Sequence, residues 1–177
     1  TEGLDLVANY RWDLGFGLFG TSASSLNLQL YGTYVLKNDY FPVVGVDLKN
    51  ECAGAFGRNC GQPDPEWRHS LRATWSTGPL DVSLFWRYLD AVTDDDPSAT
   101  YVNAEKIDAE SYFDMSFRYA ASDKLSFTLG LFNLADNKDP TPLASSQQGG
   151  NGQQSNTYPG TYDVIGRSYS LSAKFKF

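Results

Sequence analysis

Hydrophobic and polar residues alternate along most of this chain with the period of two that marks a β-strand with unlike faces. The end of the chain shows it most cleanly. Phe177, Phe175, Ala173, Leu171 and Tyr169 fall on one face, and Lys176, Lys174, Ser172, Ser170 and Ser168 on the other. Six earlier stretches repeat the pattern, at about residues 4–14, 26–37, 67–76, 80–89, 113–120 and 125–132. Seven strands of similar length, with no helical segment of comparable strength, predict an all-β, antiparallel chain. The connections alternate too. Residues 77–79 and 121–124 are tight turns and 15–25 a longer one, whereas about 39–66, 90–110 and 135–161 are long polar loops. Such loops are uncommon in compact soluble domains, and short turns at one end with long loops at the other is the pattern of an outer-membrane barrel.

Alternation alone fits two architectures. A secreted or surface β-sandwich binding module hides the apolar face against a second sheet; a membrane barrel shows it to lipid and keeps the polar face for a lumen. Aromatic placement separates them. Aromatics are 15% of the residues (11 Phe, 11 Tyr, 4 Trp), although mean hydropathy is negative. If the long loops are extracellular, Tyr34, Trp67, Trp86, Tyr88 and Phe113 fall at the loop end of their strands. Trp12, Trp75, Tyr119, Phe175 and Phe177 fall at the turn end. Two girdles with aliphatic residues between them suit rings at two lipid–water interfaces, and a soluble core gives no reason for such sorting. Strand direction adds a further expectation. Seven strands that start outside and end in the periplasm do not close a bacterial barrel, so the chain is expected to be a portion of a larger one, or else to pair with other chains. The net charge of −7 argues against nucleic acid as a partner.

Specific residues carry a family resemblance. The exit of the sixth strand, with Gly130, Asn133, Leu134, Asp136 and Pro140, resembles a segment near the end of TonB-dependent receptors. The close, Tyr162 to Tyr169 followed by a strand ending in Phe177, resembles that family's last strand. The stretch from Cys52 through Cys60 to Trp67, Arg68 and His69 is similar to receptors of the Xanthomonas and Caulobacter type. The resemblance implies a barrel of about 22 strands in the outer membrane of a Gram-negative bacterium, of which residues 1–177 would be the last seven. It also implies a plug and a TonB box in parts this chain lacks, and TonB-driven uptake of a small nutrient, a glycan or a ferric siderophore. The implied partners are outer-membrane lipid, the rest of the barrel and plug, TonB, and the barrel-assembly machinery. That machinery would read Tyr169, Leu171, Ala173, Phe175 and Phe177 as its signal, by strand addition at an exposed edge. No enzymatic activity and no cofactor are expected.

Candidate chemistry is sparse. Cys52 and Cys60, eight apart in a loop of an oxidising compartment, predict a disulfide rather than a metal site, since no His or third Cys accompanies them. Asp94, Asp95 and Asp96 match no defined calcium loop and read as a solvated acidic tip, with calcium binding by a loop left open. His69 beside Ser70 invites a hydrolase reading, but period two puts them on opposite faces, so His69 reads as interfacial and no residue as catalytic. Arg11, Arg72, Arg87 and Arg118 with Asp13, Asp81 and Asp114 form a mixed-charge inner lining. Ion pairing with plug and neighbouring strands is its first reading and substrate contact its second. Tyr40, Phe41, Phe56, Tyr101, Tyr158 and Tyr162 are loop aromatics open to two roles: stacking on a ligand, or anchoring the loops.

Overall fold

The computed structural model describes residues 1–43, 48–96, 105–137 and 158–177. Thirteen strands follow in chain order: β1 (Glu2–Leu14), β2 (Ser24–Lys37), β3 (Asp39–Tyr40), β4 (Asn50–Glu51), β5 (Ala55–Gly57), β6 (Gly61–Asp64), β7 (Trp67–Thr77), β8 (Leu80–Leu89), β9 (Val92–Asp94), β10 (Lys106–Ile107), β11 (Glu110–Ala120), β12 (Leu125–Phe132) and β13 (Ser168–Phe175). Seven of them form one sheet in the order β1-β2-β7-β8-β11-β12-β13, each antiparallel to its neighbours. These are the seven strands expected from the alternation. The last one stops at Phe175 rather than Phe177. Lys176 N–H still reaches Lys124 O at 2.8 Å, but Phe177 is wholly exposed and meets the Phe175 ring edge-on.

The pairing register keeps like faces together, as a period of two requires. Trp86 stands opposite Phe113, His69 opposite Tyr88 and Leu129 opposite Leu171 on the outward face. Arg118 stands opposite Asp81, and Arg72 opposite Phe85, on the inward face. At the turn end the chain reverses tightly. Gly78 takes φ +53°, and the Ser122 hydroxyl accepts the N–H of Lys124 and of Leu125.

The apolar outward face has no second layer over it among the described residues. Leu4 is 64% exposed, Leu171 78% and Tyr169 67%. A sandwich would have buried them, and a contiguous exposed apolar face of this size marks a surface built to meet another apolar phase.

The buried core lies elsewhere, among the long connections. Phe56, Val92, Ile107, Tyr158 and Tyr162 pack together, with Leu89 of β8 against them. A small sheet in the order β10-β9-β5-β6 organises two of the loops, and β3 pairs with β4. These loop strands are absent from the sequence reading because two to four residues are too few to display a period.

Candidate functional site

The inward face of the sheet carries charge in matched pairs. Arg87 Nη2 lies 3.3 Å from Asp114 Oδ2, Arg118 Nη1 3.7 Å from Asp81 Oδ2, and Arg11 Nε 3.1 Å from Asp13 Oδ1. Arg72 departs from the expected lining. It donates to the Ser83 hydroxyl at 3.3 Å and lies over the Phe85 ring at 4.3 Å, with no carboxylate partner among the described residues. Arg87 also lies over the Tyr112 ring at 5.2 Å. All these partners come from the next strand, or from the same strand two residues on, so much of the lining is satisfied within this sheet.

Toward the loop end the inward face opens into a groove of about 460 Å³ that crosses β1, β2, β7 and β8. Asp5, Val7, Tyr31, Thr33, Arg68, Ser70, Arg87 and Leu89 supply its walls. Arg87 also borders a second cavity, of about 280 Å³, against Pro159, Gly160, Tyr162 and Asp163. The sequence marked Arg68 only as part of the stretch that carries the resemblance, with no role in the inner lining. Period two assigns it a face, but only the structure shows the space beside it.

Beyond β12 the chain is tied by a buried polar knot. Asn133 has no exposed surface and sits at φ +50°, a conformation that asparagine tolerates better than most residues. Its side-chain N–H groups donate to Asn137 O at 2.8 Å and Asp163 Oδ2 at 3.0 Å, and its carbonyl accepts Asn137 N–H at 3.0 Å. Its own N–H donates to Asp114 Oδ1 at 2.9 Å. Asp163 Oδ1 accepts from Ile165 and Gly166, and Asp136 Oδ1 accepts from Arg167, whose guanidinium donates to Leu134 O at 2.7 Å. The residues that carried the family resemblance thus fasten the exit of β12 to the start of β13.

The loop core shows where several candidates sit. Phe56, Tyr158 and Tyr162 are buried in it and pack together, with Tyr162 also bordering the cavity beside Arg87. Tyr40 and Phe41 are about half exposed, and Tyr101 lies outside the described residues. The acidic tip is not solvated as expected. Asp94 is 5% exposed, and the Asp95 carboxylate accepts N–H donations from Asn59 at 2.8 Å and Cys60 at 2.5 Å. Cys60 is disulfide-bonded to Cys52 with Cα atoms 5.3 Å apart, so Asp95 of one loop holds the cross-linked turn of another. Among the described residues no group of three or more His, Cys, Asp or Glu side chains is placed to hold a metal ion.

Burial pushes the Tyr162 phenol well above its ordinary 10.0, with Tyr112, Glu110 and Tyr158 adding to the rise. A raised phenol pKa stabilises the folded form below about pH 10, where both states are neutral, relative to higher pH, where only the unfolded chain ionises freely. The loop core should therefore weaken above about pH 10. Tyr162→Phe should reduce that loss, as read from the alkaline limb of protease resistance. An unchanged limb would show that Tyr162 is not the group responsible.

On the outward face, the loop-end aromatics converge on His69. Its ring lies 4.5 Å from Trp86, edge-on, and 5.1 Å from Tyr88, stacked. Trp67 Nε1–H donates to His69 Nδ1 at 2.9 Å, and Trp86 stacks on Phe113 at 5.9 Å. The Trp67 ring lies where a side chain on Gly32 would be, so Gly32 makes room for it. At the turn end Phe16 meets Trp75 at 6.4 Å, and Phe19 meets Tyr119 at 5.9 Å. Phe16 and Phe19 were not foreseen because they sit in the β1–β2 connection rather than on a strand.

An antiparallel meander with an uncovered apolar face, a charge-paired inner face and long loops at one end is wall of a transmembrane β-barrel. The profile of the family described as TonB dependent receptor-like, beta-barrel matches residues 1–134, and the chain belongs to that family. It is a family of outer-membrane receptors of Gram-negative bacteria that act in transport, not catalysis. A comparison with curated proteins gives no match.

Proposed function

We propose that this chain supplies the last seven strands, surface loops and assembly signal of a receptor of about 22 strands that imports a scarce nutrient, a glycan or a ferric siderophore. The two aromatic clusters then lie at the two membrane interfaces, with Trp12, Tyr34, Phe175 and Phe177 completing the girdles. A plug fills the remaining lumen, TonB acts through the part of the receptor outside this chain, and Tyr169, Leu171, Ala173, Phe175 and Phe177 serve the barrel-assembly machinery. The observation that carries this reading is the pairing of an exposed apolar outer face with an inner face that opens into a groove at the loop end.

The intact receptor should fractionate with the outer membrane, require detergent for extraction and show heat-modifiable gel mobility. Its nutrient uptake should stop when the proton gradient is collapsed. A receptor soluble and monomeric without detergent, or uptake indifferent to the gradient, would remove this reading.

A further inference from the structure

We infer that the groove across β1, β2, β7 and β8 is a subsite for an acidic sugar, with Arg68 receiving the carboxylate and Tyr31 the face of the ring. This deepens the uptake reading and rests on it for biological meaning.

The starting observation is an unmatched cation. Arg11, Arg87 and Arg118 each face a carboxylate, and Arg72 has a hydroxyl and an aromatic ring. Arg68 projects from the same face of the sheet, is exposed, and has no hydrogen-bonding or ionic partner among the described residues. In a chain of net charge −7, with acids outnumbering bases, a cation left free at the wall of a groove favours an anionic occupant. Guanidinium suits a carboxylate in particular, because its fork matches the two oxygens.

The surroundings narrow the anion to a sugar acid. The register puts Arg68 between Thr33 and Leu89, and Ser70 between Tyr31 and Arg87. Asp5 stands opposite Thr33 and accepts its hydroxyl at 2.8 Å, which leaves its second carboxylate oxygen for a ligand hydroxyl. Ser70 offers a further hydroxyl. Tyr31 is 50% exposed and stands beside Val7, so the groove has an aromatic and aliphatic floor for the C–H face of a pyranose. Arg87, held by Asp114 and the Tyr112 ring, forms a fixed positive wall. The groove volume of about 460 Å³ is within the range of small-molecule sites, about 300–1,000 Å³. A neutral sugar would leave Arg68 unused.

The test is calorimetric binding to the intact, plug-containing receptor in detergent. Trigalacturonate is the probe, with neutral galactotriose and a ferric catechol complex as comparisons. Trigalacturonate should bind at least about tenfold tighter than galactotriose, since a hydrogen bond to a charged group is worth roughly that factor or more. Arg68→Gln should weaken trigalacturonate by about ten- to hundredfold and leave galactotriose unchanged, while Arg68→Lys retains part of the gain. Equal binding of the two trisaccharides, no binding of trigalacturonate, or preference for the ferric complex would overturn the inference. It is also overturned if Arg68→Gln lowers the melting temperature without touching trigalacturonate affinity, because Arg68 then serves a carboxylate of the plug. Binding needs no proton gradient. Loss of acidic-sugar binding therefore sinks this inference alone, whereas retained binding with gradient-independent uptake sinks the transport reading alone.

Discussion

Replacing Asn133 with alanine should lower the stability of the intact receptor by about 3–5 kcal/mol, the range for breaking a buried network that includes a charge. The amide supplies two N–H donors and one acceptor in a site without solvent. Its removal orphans Asp163 Oδ2, the Asn137 N–H and the Asn137 carbonyl, at about 1–3 kcal/mol for each group that finds no water. Alanine is also less at ease than asparagine at φ +50°. Asn133→Asp separates shape from chemistry. It nearly preserves the volume but sets a second carboxylate against Asp163, so the loss at neutral pH should be similar. Part of it should return as pH falls through the carboxylate range and one of the two takes a proton. The measurement is the temperature at which the heat-modifiable gel band shifts, at pH 7 and at pH 4. An Asn133→Ala receptor within about 1 kcal/mol of the parent would mean the knot contributes no more than an ordinary surface residue.

Removing the disulfide by Cys52→Ser together with Cys60→Ser should cost about 2–3 kcal/mol, the range for closing a loop this short, and the cost should fall on the loop rim alone. The main sheet keeps its ladders, so the gel-shift temperature should move little. Trypsin cleavage after Arg58, exposed between the two cysteines, should accelerate by more than tenfold. Asp95→Ala tests the other fastening. The Asn59 and Cys60 N–H groups lose their shared acceptor, and cleavage should quicken further when the disulfide is also absent. If the double serine variant is cut no faster than the parent, the turn is held by packing and not by the bridge.

The main sheet was legible in the sequence because each of its strands is long enough for alternation to declare both its existence and its faces. Even the aromatic sorting by strand end is visible once direction is assigned. The loop sheet was not, because β5, β9 and β10 pair across large separations and are too short to carry a pattern. Phe56, Tyr158 and Tyr162 illustrate the limit. A ring in a polar stretch is equally consistent with stacking on a ligand and with burial, and the decision lies with residues from other loops. Asp94 and Asp95 were misread for the same reason, since a run of acids gives no sign of the amide groups it will meet. Asn133 was recognisable as part of a family segment. Its chemistry depends on a backbone angle and on Asp163, thirty residues on, neither of which a local pattern contains.

The shared loop core has a consequence for how such a receptor can diversify. Phe56, Val92, Ile107, Tyr158 and Tyr162 come from three separate connections yet fill one volume. A larger side chain in one connection must be met by a smaller one in another, so these positions are constrained to change in concert. Tyr40, Phe41 and Arg58 lie outside that volume and can drift singly. Change in the loops is thereby channelled to the periphery of the rim, while its centre has to change as one unit.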